Sequence, residues 1–150
     1  MKLEISMAES EELIREIVES GGEFELYPKG TSMLPLIRQG KDSVILVRLP
    51  DKIKKGDIPL YKREDGSFVL HRIVRVEKDG TYTMCGDNQT ELERGIKKEQ
   101  MIALVAAVCH GEKRVDVNKL SYRAYRFLWR SFAIRKAYFK LRKLKNSKKN

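Results

Sequence analysis

Cysteine and histidine are scarce in this sequence, with two of each among 150 residues. Cys85 and Cys109 allow one disulfide at most, and neither has the neighbouring Cys or His ligands of a zinc site. We therefore expect two buried, reduced thiols, no metal and no other cofactor. Reduced cysteines suit the cytoplasm, which is the localisation we predict.

Long hydrophobic runs are also missing. The most apolar stretch, residues 101–109, is far below the ~20 residues that a membrane-spanning helix needs. The N-terminal segment lacks the basic region and apolar core of a secretory signal, and carries glutamates at positions 9, 11, 12, 16 and 19 instead. We expect neither a signal peptide nor a transmembrane anchor.

Acidic residues are absent from position 118 onward, where twelve Lys or Arg residues occur. The whole chain has a net charge of +10, so this tail carries all of the excess positive charge. Such a change in composition predicts a separate segment, residues 118–150, attached to one compact domain.

The first predicted element is an amphipathic helix within residues 1–22. A capping box at Ser6 and Glu9 would begin it, and Ser20-Gly21-Gly22 would end it. Its apolar stripe consists of Leu13, Ile14, Ile17 and Val18.

Short β-branched or alternating runs follow, typical of strands. They cover residues 23–27, 42–47, 57–61, 67–76, 81–85, 101–108 and 113–117. Asp65-Gly66 and Asp79-Gly80 separate such runs where hairpin turns would lie. The pattern predicts a mainly β protein, with a small coiled β-domain at 23–117 between the N-terminal helix and a basic C-terminal helix.

A serine lies just ahead of a predicted strand, in the stretch GTSMLP (30–35). The hydroxyl of Ser32 is a poor nucleophile unless a base removes its proton. His110 falls in a predicted turn, where we interpret it as a solvated residue. His71 lies within a predicted strand beside apolar residues, where desolvation favours the neutral, basic imidazole. A structural role for His71 remains the alternative.

Asp87 follows Gly86 directly after another predicted strand. Its carboxylate is a candidate to accept a hydrogen bond from His71 and to stabilise the imidazolium. The alternative is a turn aspartate that caps its own backbone, since Gly-Asp-Asn favours turns. Local chemistry leaves both roles open.

Three sequence boxes together resemble the superfamily that unites type I signal peptidases with LexA-like self-cleaving repressors. In chain order they are GTSMLP, the segment 54–76 that contains HRIV, and CGDNQTELERG (85–95). The resemblance covers about residues 24–108. A histidine followed by Arg and an apolar residue is similar to the archaeal and endoplasmic-reticulum type of signal peptidase, whereas bacterial leader peptidases and LexA-like proteins have a lysine there.

This resemblance implies a serine endopeptidase with Ser32 as nucleophile, His71 as general base and Asp87 as orienting acid. Glu93, ahead of Arg94-Gly95 where relatives usually have an aspartate, is a lesser candidate. Signal peptidases usually have Ser-Gly before the nucleophile, and the upstream hydroxyl helps to bind the oxyanion. This chain has Gly30-Thr31, closer to the LexA form, so Thr31 is a candidate for that hydroxyl.

The tail has helical apolar spacing, widened by aromatic residues, with Arg and Lys between. The spaced residues are Leu120, Ala124, Phe127, Leu128, Ile134, Tyr138 and Leu141. This pattern suits an anionic membrane surface, which would add a peripheral position at the inner membrane to the predicted localisation. Packing on the β-domain or a partner protein is the main alternative, and nucleic acid is disfavoured because no helix-turn-helix is evident.

Three functional classes follow. The first is a signal-peptidase-like endopeptidase that cuts a protein or peptide substrate. The second is a LexA-like self-cleaving regulator, favoured by Gly30-Thr31 and the missing anchor but opposed by the position of its Cys85-Gly86 bond inside the predicted site. The third is a catalytically inactive, protein-binding domain.

Overall fold

The computed structural model describes residues 7–149 of the chain. In that part, one helix precedes nine strands and two helices follow them. The elements are α1 (Met7–Glu19), β1 (Phe24–Leu26), β2 (Asp42–Val47), β3 (Pro59–Lys62), β4 (Phe68–Leu70), β5 (Arg72–Val76), β6 (Tyr82–Cys85), β7 (Glu93–Ile96), β8 (Met101–His110), β9 (Lys113–Asp116), α2 (Leu120–Trp129) and α3 (Phe132–Ser147).

The strands form two antiparallel sheets, which confirms the predicted mainly β fold. The larger sheet has the order β1-β2-β8-β3-β4, with β9 also paired to β8, and the smaller sheet has the order β5-β6-β7. The main hydrophobic core includes Val44 and Val108 of the larger sheet, and a second core combines Ile73 and Met84 of the smaller sheet with Tyr61 of the larger one. The chain passes from the larger sheet to the smaller one between β4 and β5.

The predicted single strand over 67–76 is wrong, because it is divided at His71. Residues 68–70 pair with β3, whereas residues 72–76 pair with β6 in the other sheet. Backbone hydrogen bonds also join Ile73 of the smaller sheet to Gly56 and Asp57, which lie just ahead of β3. Residue alternation is similar on both sides of the break, so it could not reveal the change of sheet. A strand at β7 was not predicted.

The helix α1 packs its predicted stripe on the larger sheet. Ile14 and Val18 are buried in the main core. Gly21, at φ +89°, ends the helix in a conformation that favours glycine. The predicted capping serine, Ser6, lies outside the described residues.

Two sequence interpretations of single residues have different outcomes. Cys85 and Cys109 are buried, as predicted. His110 is not a solvated turn residue, because it ends β8 and its Nδ1 lies 3.1 Å from Oδ1 of the buried Asp42. Together with Arg38, His110 overcomes the effect of burial and lowers the pKa of Asp42 to about 2.

The tail forms two helices rather than one. The helix is interrupted at residues 130 and 131, and the Ser131 hydroxyl accepts a hydrogen bond from the Ile134 N–H at the start of α3. Within residues 7–149, no helix combines the length and the apolar character needed to cross a bilayer.

Candidate active site

Ser32 and His71 line one open cleft of about 500 Å³. Ser32 is half-buried, and His71 is only 7% exposed. The other lining side chains are mostly apolar and include Leu26, Met33, Ile37, Leu60, Val69 and Leu70. Within the described residues, no hydrogen bond joins the Ser32 hydroxyl to the imidazole. The fold thus brings Ser32 and His71, which are far apart in the chain, to the same cavity.

The serine loop, residues 30–37, connects β1 to β2 and is anchored on both sides of Ser32. Gly30 adopts φ +89°, and its N–H donates to the Gln39 side chain at 3.0 Å. After the serine, the apolar side chains of Met33 and Ile37 are buried in the main core. Burial of these neighbours fixes the loop and leaves Ser32 at the rim of the cleft.

His71 occupies the junction between the two sheets, directly after β4. Burial lowers its pKa from the ordinary value of 6.5, and the positive charge of Arg63 lowers it further. The negative charges of Glu93 and Asp87 oppose this shift without reversing it. The imidazole of His71 is therefore neutral at neutral pH, which is the form that can accept a proton.

A tyrosine connects His71 to Glu93. The Tyr61 oxygen lies 3.4 Å from His71 Nδ1, and its hydroxyl donates to Glu93 Oε1 at 3.1 Å. Since the phenol has one proton and the carboxylate is the stronger acceptor, Nδ1–H is left to donate to the Tyr61 oxygen. This assignment leaves the lone pair on Nε2, which has no hydrogen-bond partner among residues 7–149.

Glu93 is ionised, and so it keeps its acceptor role. Burial opposes its ionisation, but hydrogen bonds from Arg63 and Tyr61 outweigh that effect and lower its pKa. Burial and the Glu93 charge both raise the pKa of Tyr61, so the phenol stays protonated. Sequence reasoning identified Glu93 but missed Tyr61 and Arg63, which are brought to it by pairing between distant strands.

Asp87 is fully buried and binds the residue next to His71. Its two carboxylate oxygens accept hydrogen bonds from Arg72 Nε at 2.7 Å and Arg72 Nη2 at 2.8 Å. A third bond, at 2.8 Å, comes from the Tyr125 hydroxyl. The hydrogen bond that we expected from His71 to this carboxylate is not present in the described part of the chain. The negative charge of Asp87 still raises the pKa of His71 at longer range, against the effect of burial.

The Gly-Asp-Asn loop, residues 86–88, also holds the serine loop. Asn88 N–H donates to the Ser32 carbonyl at 2.9 Å, and its side-chain amide donates to the Thr31 carbonyl at 3.0 Å. Gly86 lies so close that a Cβ there would be 2.5 Å from the Ser32 carbonyl oxygen. Only glycine fits this approach. These contacts use the Thr31 and Ser32 carbonyls and leave the Thr31 hydroxyl and the Ser32 N–H without partners among the described residues.

The helices of the tail support the Gly-Asp-Asn loop from behind. Trp129 Nε1 donates to the Asp87 carbonyl at 2.8 Å. Arg135 is fully buried, and its guanidinium donates to the carbonyls of Gly86 at 2.8 Å, Gln89 at 3.1 Å and Trp129 at 2.6 Å. These contacts could not be predicted, since no pattern in the sequence distinguishes Arg135 from the other basic residues of the tail.

Comparison with known families assigns most of the chain to one family. The family model described as Peptidase S24-like matches residues 3–109, which is more than half of the chain and ends before α2. No curated protein and no solved structure is significantly similar to the chain. The chain belongs to the Peptidase S24-like family, within the superfamily of LexA and type I signal peptidase.

Proposed function

We propose that the protein is a serine endopeptidase that hydrolyses a peptide bond with Ser32 as nucleophile and His71 as general base. The observation that supports this most is the shared cleft, which is lined by both Ser32 and a neutral His71 with a free Nε2. Family membership supports peptidase chemistry in general, and the assignment of these two residues is our own.

The proposed reaction proceeds in two stages. Ser32 Oγ attacks the substrate carbonyl while His71 Nε2 takes its proton, and the same proton then passes to the leaving amine as the C–N bond breaks. A water molecule, deprotonated by His71, attacks the resulting ester. The proton returns to Ser32 Oγ when the acyl group leaves as a carboxylic acid.

Two acidic residues would position the base from opposite sides. Glu93 acts through Tyr61, whose oxygen accepts the Nδ1–H bond and so keeps Nε2 unprotonated. Asp87 acts through Arg72, which it holds by two hydrogen bonds one residue away from His71. In this proposal Asp87 and Glu93 are positioning residues, because neither touches the reacting atoms.

The developing oxyanion would be bound at the serine loop. Ser32 N–H is one donor that no other group in residues 7–149 occupies. The Thr31 hydroxyl, which is exposed and adjacent, is the candidate for the second donor. Donors of this kind contribute ~3 to 4 kcal/mol each to transition-state stabilisation.

The substrate would bind as an extended chain. Two edge strands of the larger sheet border the cleft, β1 through Leu26 and β4 through residues 68–70. Unpaired strand edges bind extended peptides through main-chain hydrogen bonds, and apolar pockets select alternate side chains. Small or apolar side chains next to the scissile bond fit the mainly apolar lining.

Self-cleavage is the second candidate function, favoured by the family match and by Gly30-Thr31 before the serine. Its obvious scissile bond, Cys85-Gly86, is opposed by the geometry. Cys85 is 1% exposed, and Gly86 is buried against the Ser32 carbonyl. A bond held in this position cannot enter the cleft without loss of the loop that supports the site.

Peptide cleavage separates these functions. Wild-type protein, Ser32→Ala and His71→Ala are incubated with a peptide library rich in small residues, and products are identified by mass spectrometry. Ser67→Ala, in an exposed hairpin turn outside the cleft, is the matched control. Cleavage by wild type and control that is lost in both site variants supports the endopeptidase. Intact peptides with a cut protein chain support self-cleavage, and no cutting at all contradicts both.

A further inference from the structure

A second groove lies on the opposite side of α2 from Asp87. It has a volume of about 420 Å³ and is bounded by residues 54–56, which precede β3, and by the outer face of α2. Five of its lining side chains are cationic, and none is acidic. They are Lys54, Lys55, Arg123, Arg126 and Arg130.

The positive charge of this groove is not neutralised by the protein. Other cations of the chain have carboxylate partners, such as Arg38 with Asp42 and Arg114 with Glu23. In residues 7–149, no carboxylate forms an ion pair with any of the five groove cations. An uncompensated cluster of this size attracts anions, and arginine binds phosphate in particular because its planar donors match phosphate oxygens.

Two of the guanidinium groups are held in place by neighbours. Arg130 stacks on the ring of Phe127, with 4.4 Å between its Cζ and the ring centroid. Arg126 lies against Gly56, so closely that a Cβ at Gly56 would be 2.9 Å from Arg126 Cδ. Part of the conformational freedom of these side chains is therefore already lost before an anion binds.

The same groove exposes large apolar side chains to solvent. Leu120 is 78% exposed and Phe127 is 61% exposed, and both line it. The pattern continues along the tail with Leu128, Ile134, Leu141 and Leu144, all exposed. The spacing of Leu120, Phe127 and Leu128 puts them on one face of α2, and that of Ile134, Leu141 and Leu144 puts them on one face of α3.

These apolar residues are not required to hold the tail on the domain. Tyr122 and Trp129 are buried, and side chains of Tyr125, Trp129 and Arg135 form hydrogen bonds to residues 86–89 of the domain. The apolar stripe that we predicted from sequence points mainly outward, since all of its members except Tyr138 are exposed. Exposure of apolar side chains to water is unfavourable, and these side chains contribute little to packing. A surface of this kind indicates contact with another apolar environment.

We propose that the outer faces of α2 and α3 bind the surface of an anionic phospholipid membrane. Lipid phosphates occupy the groove beside Arg123, Arg126 and Arg130, and the exposed Leu and Phe side chains enter the boundary of the acyl chains. Nucleic acid would match the charges but would leave Leu120 and Phe127 in water. Lipid matches both features, and the inference does not depend on the peptidase reaction.

Vesicle binding tests this inference on the full chain. Wild-type protein is sedimented with vesicles of phosphatidylcholine alone or of phosphatidylcholine mixed with phosphatidylglycerol. We expect binding only to the anionic vesicles, and weaker binding at high salt. Arg123→Glu combined with Arg130→Glu should lower the affinity by about tenfold or more, because each basic residue near an anionic surface contributes to binding.

The control is an equal change of charge elsewhere, Lys41→Glu with Lys78→Glu, at exposed positions outside the groove. Leu120→Ser with Phe127→Ser tests the apolar contribution and should also weaken vesicle binding. The inference is overturned if the wild-type protein does not bind anionic vesicles. It is also overturned if the double arginine variant and the Leu120→Ser, Phe127→Ser variant both bind as tightly as the control. Stronger binding to nucleic acid than to vesicles, or binding that inorganic phosphate abolishes and that Leu120→Ser with Phe127→Ser leaves unchanged, also overturns it.

Discussion

At the scale of single residues, the nitrogen of His71 that carries the proton is determined by which group accepts the single phenolic hydrogen of Tyr61. Tyr61 gives its hydrogen to Glu93, the stronger acceptor, and its oxygen is then left to accept from Nδ1. Burial and Arg63 keep the imidazole neutral. A base with a free Nε2 and a low pKa is therefore available without any direct contact between a carboxylate and the imidazole.

The pH dependence of peptide cleavage should follow the charges around His71. Because its pKa is lowered, kcat/KM should rise with pH below about 6.5 and be level at neutral pH. Glu93 raises this pKa and Arg63 lowers it. We expect Glu93→Gln to move the acidic limb to lower pH and Arg63→Gln to move it to higher pH. Equal shifts in one direction would contradict the assignment.

Loss of the Tyr61 hydroxyl should reduce the rate of reaction more than substrate binding. Tyr61→Phe keeps the buried ring but removes the acceptor that fixes Nδ1–H, so kcat should fall by up to about 10²-fold with little change in KM. Tyr82→Phe, at another buried tyrosine of the second core, serves as control. A matching loss in the control would indicate a general packing effect instead.

The candidate functional residues could be predicted from the sequence, but the groups that they contact could not. Ser32, His71, Asp87 and Glu93 stand in recognisable boxes, and all four lie at or next to the cleft. Asp87 was expected to contact His71, whereas it binds Arg72. A motif indicates which residues belong to one site, but only the folded structure shows which of their atoms are in contact.

At the scale of elements, the junction of β4 and β5 is what creates the site. Arg72 follows His71 and is fully buried, and its hydrogen bonds to Asp87 and to the Gly56 carbonyl connect both sheets. Sequence alternation predicted one continuous strand here, since neighbouring strands and not local pattern decide where a strand changes its sheet. β2 was predicted with the observed bounds, and most other predicted strands differ from the observed ones by one or two residues at an end.

The buried pair of Arg72 and Asp87 should have a large effect on stability. Asp87→Ala leaves the Arg72 guanidinium buried without its partner, so the free energy of unfolding should fall by about 3 to 5 kcal/mol. Urea denaturation measures this change. Glu23→Ala removes the exposed pair with Arg114 and should have a much smaller effect. Similar losses in the two variants would contradict the role of the buried pair.

The hydrogen bonds of Arg135 should be needed for the support of the Gly-Asp-Asn loop. Arg135→Met keeps much of the side-chain volume but leaves the Gly86, Gln89 and Trp129 carbonyls without this donor, which costs about 1 to 3 kcal/mol. We expect kcat to fall as well, because Gly86 lies against Ser32. Lys136→Met, at the exposed neighbouring position, should leave stability and kcat unchanged.

At the scale of the whole molecule, positive charge and family membership divide the chain at similar places. The family match ends at residue 109, and acidic residues end before residue 118. Composition therefore predicts where the tail begins, but not which of its faces packs on the domain and which is exposed. Tyr122, Trp129 and Arg135 are buried against the domain, while Phe127 and the large aliphatic residues of the tail are exposed. The face of the tail that packs on the domain is the one whose side chains form hydrogen bonds to residues 86–89. The spacing of apolar residues in the sequence cannot predict these bonds.

The most direct test of the central claim is covalent labelling of Ser32 by a serine-reactive phosphonate probe, followed by peptide mapping. We predict one adduct, on Ser32, that forms faster as pH rises through the lowered pKa of His71 and that His71→Ala slows strongly. An adduct on another serine, no adduct, or a rate that is independent of His71 would contradict the account.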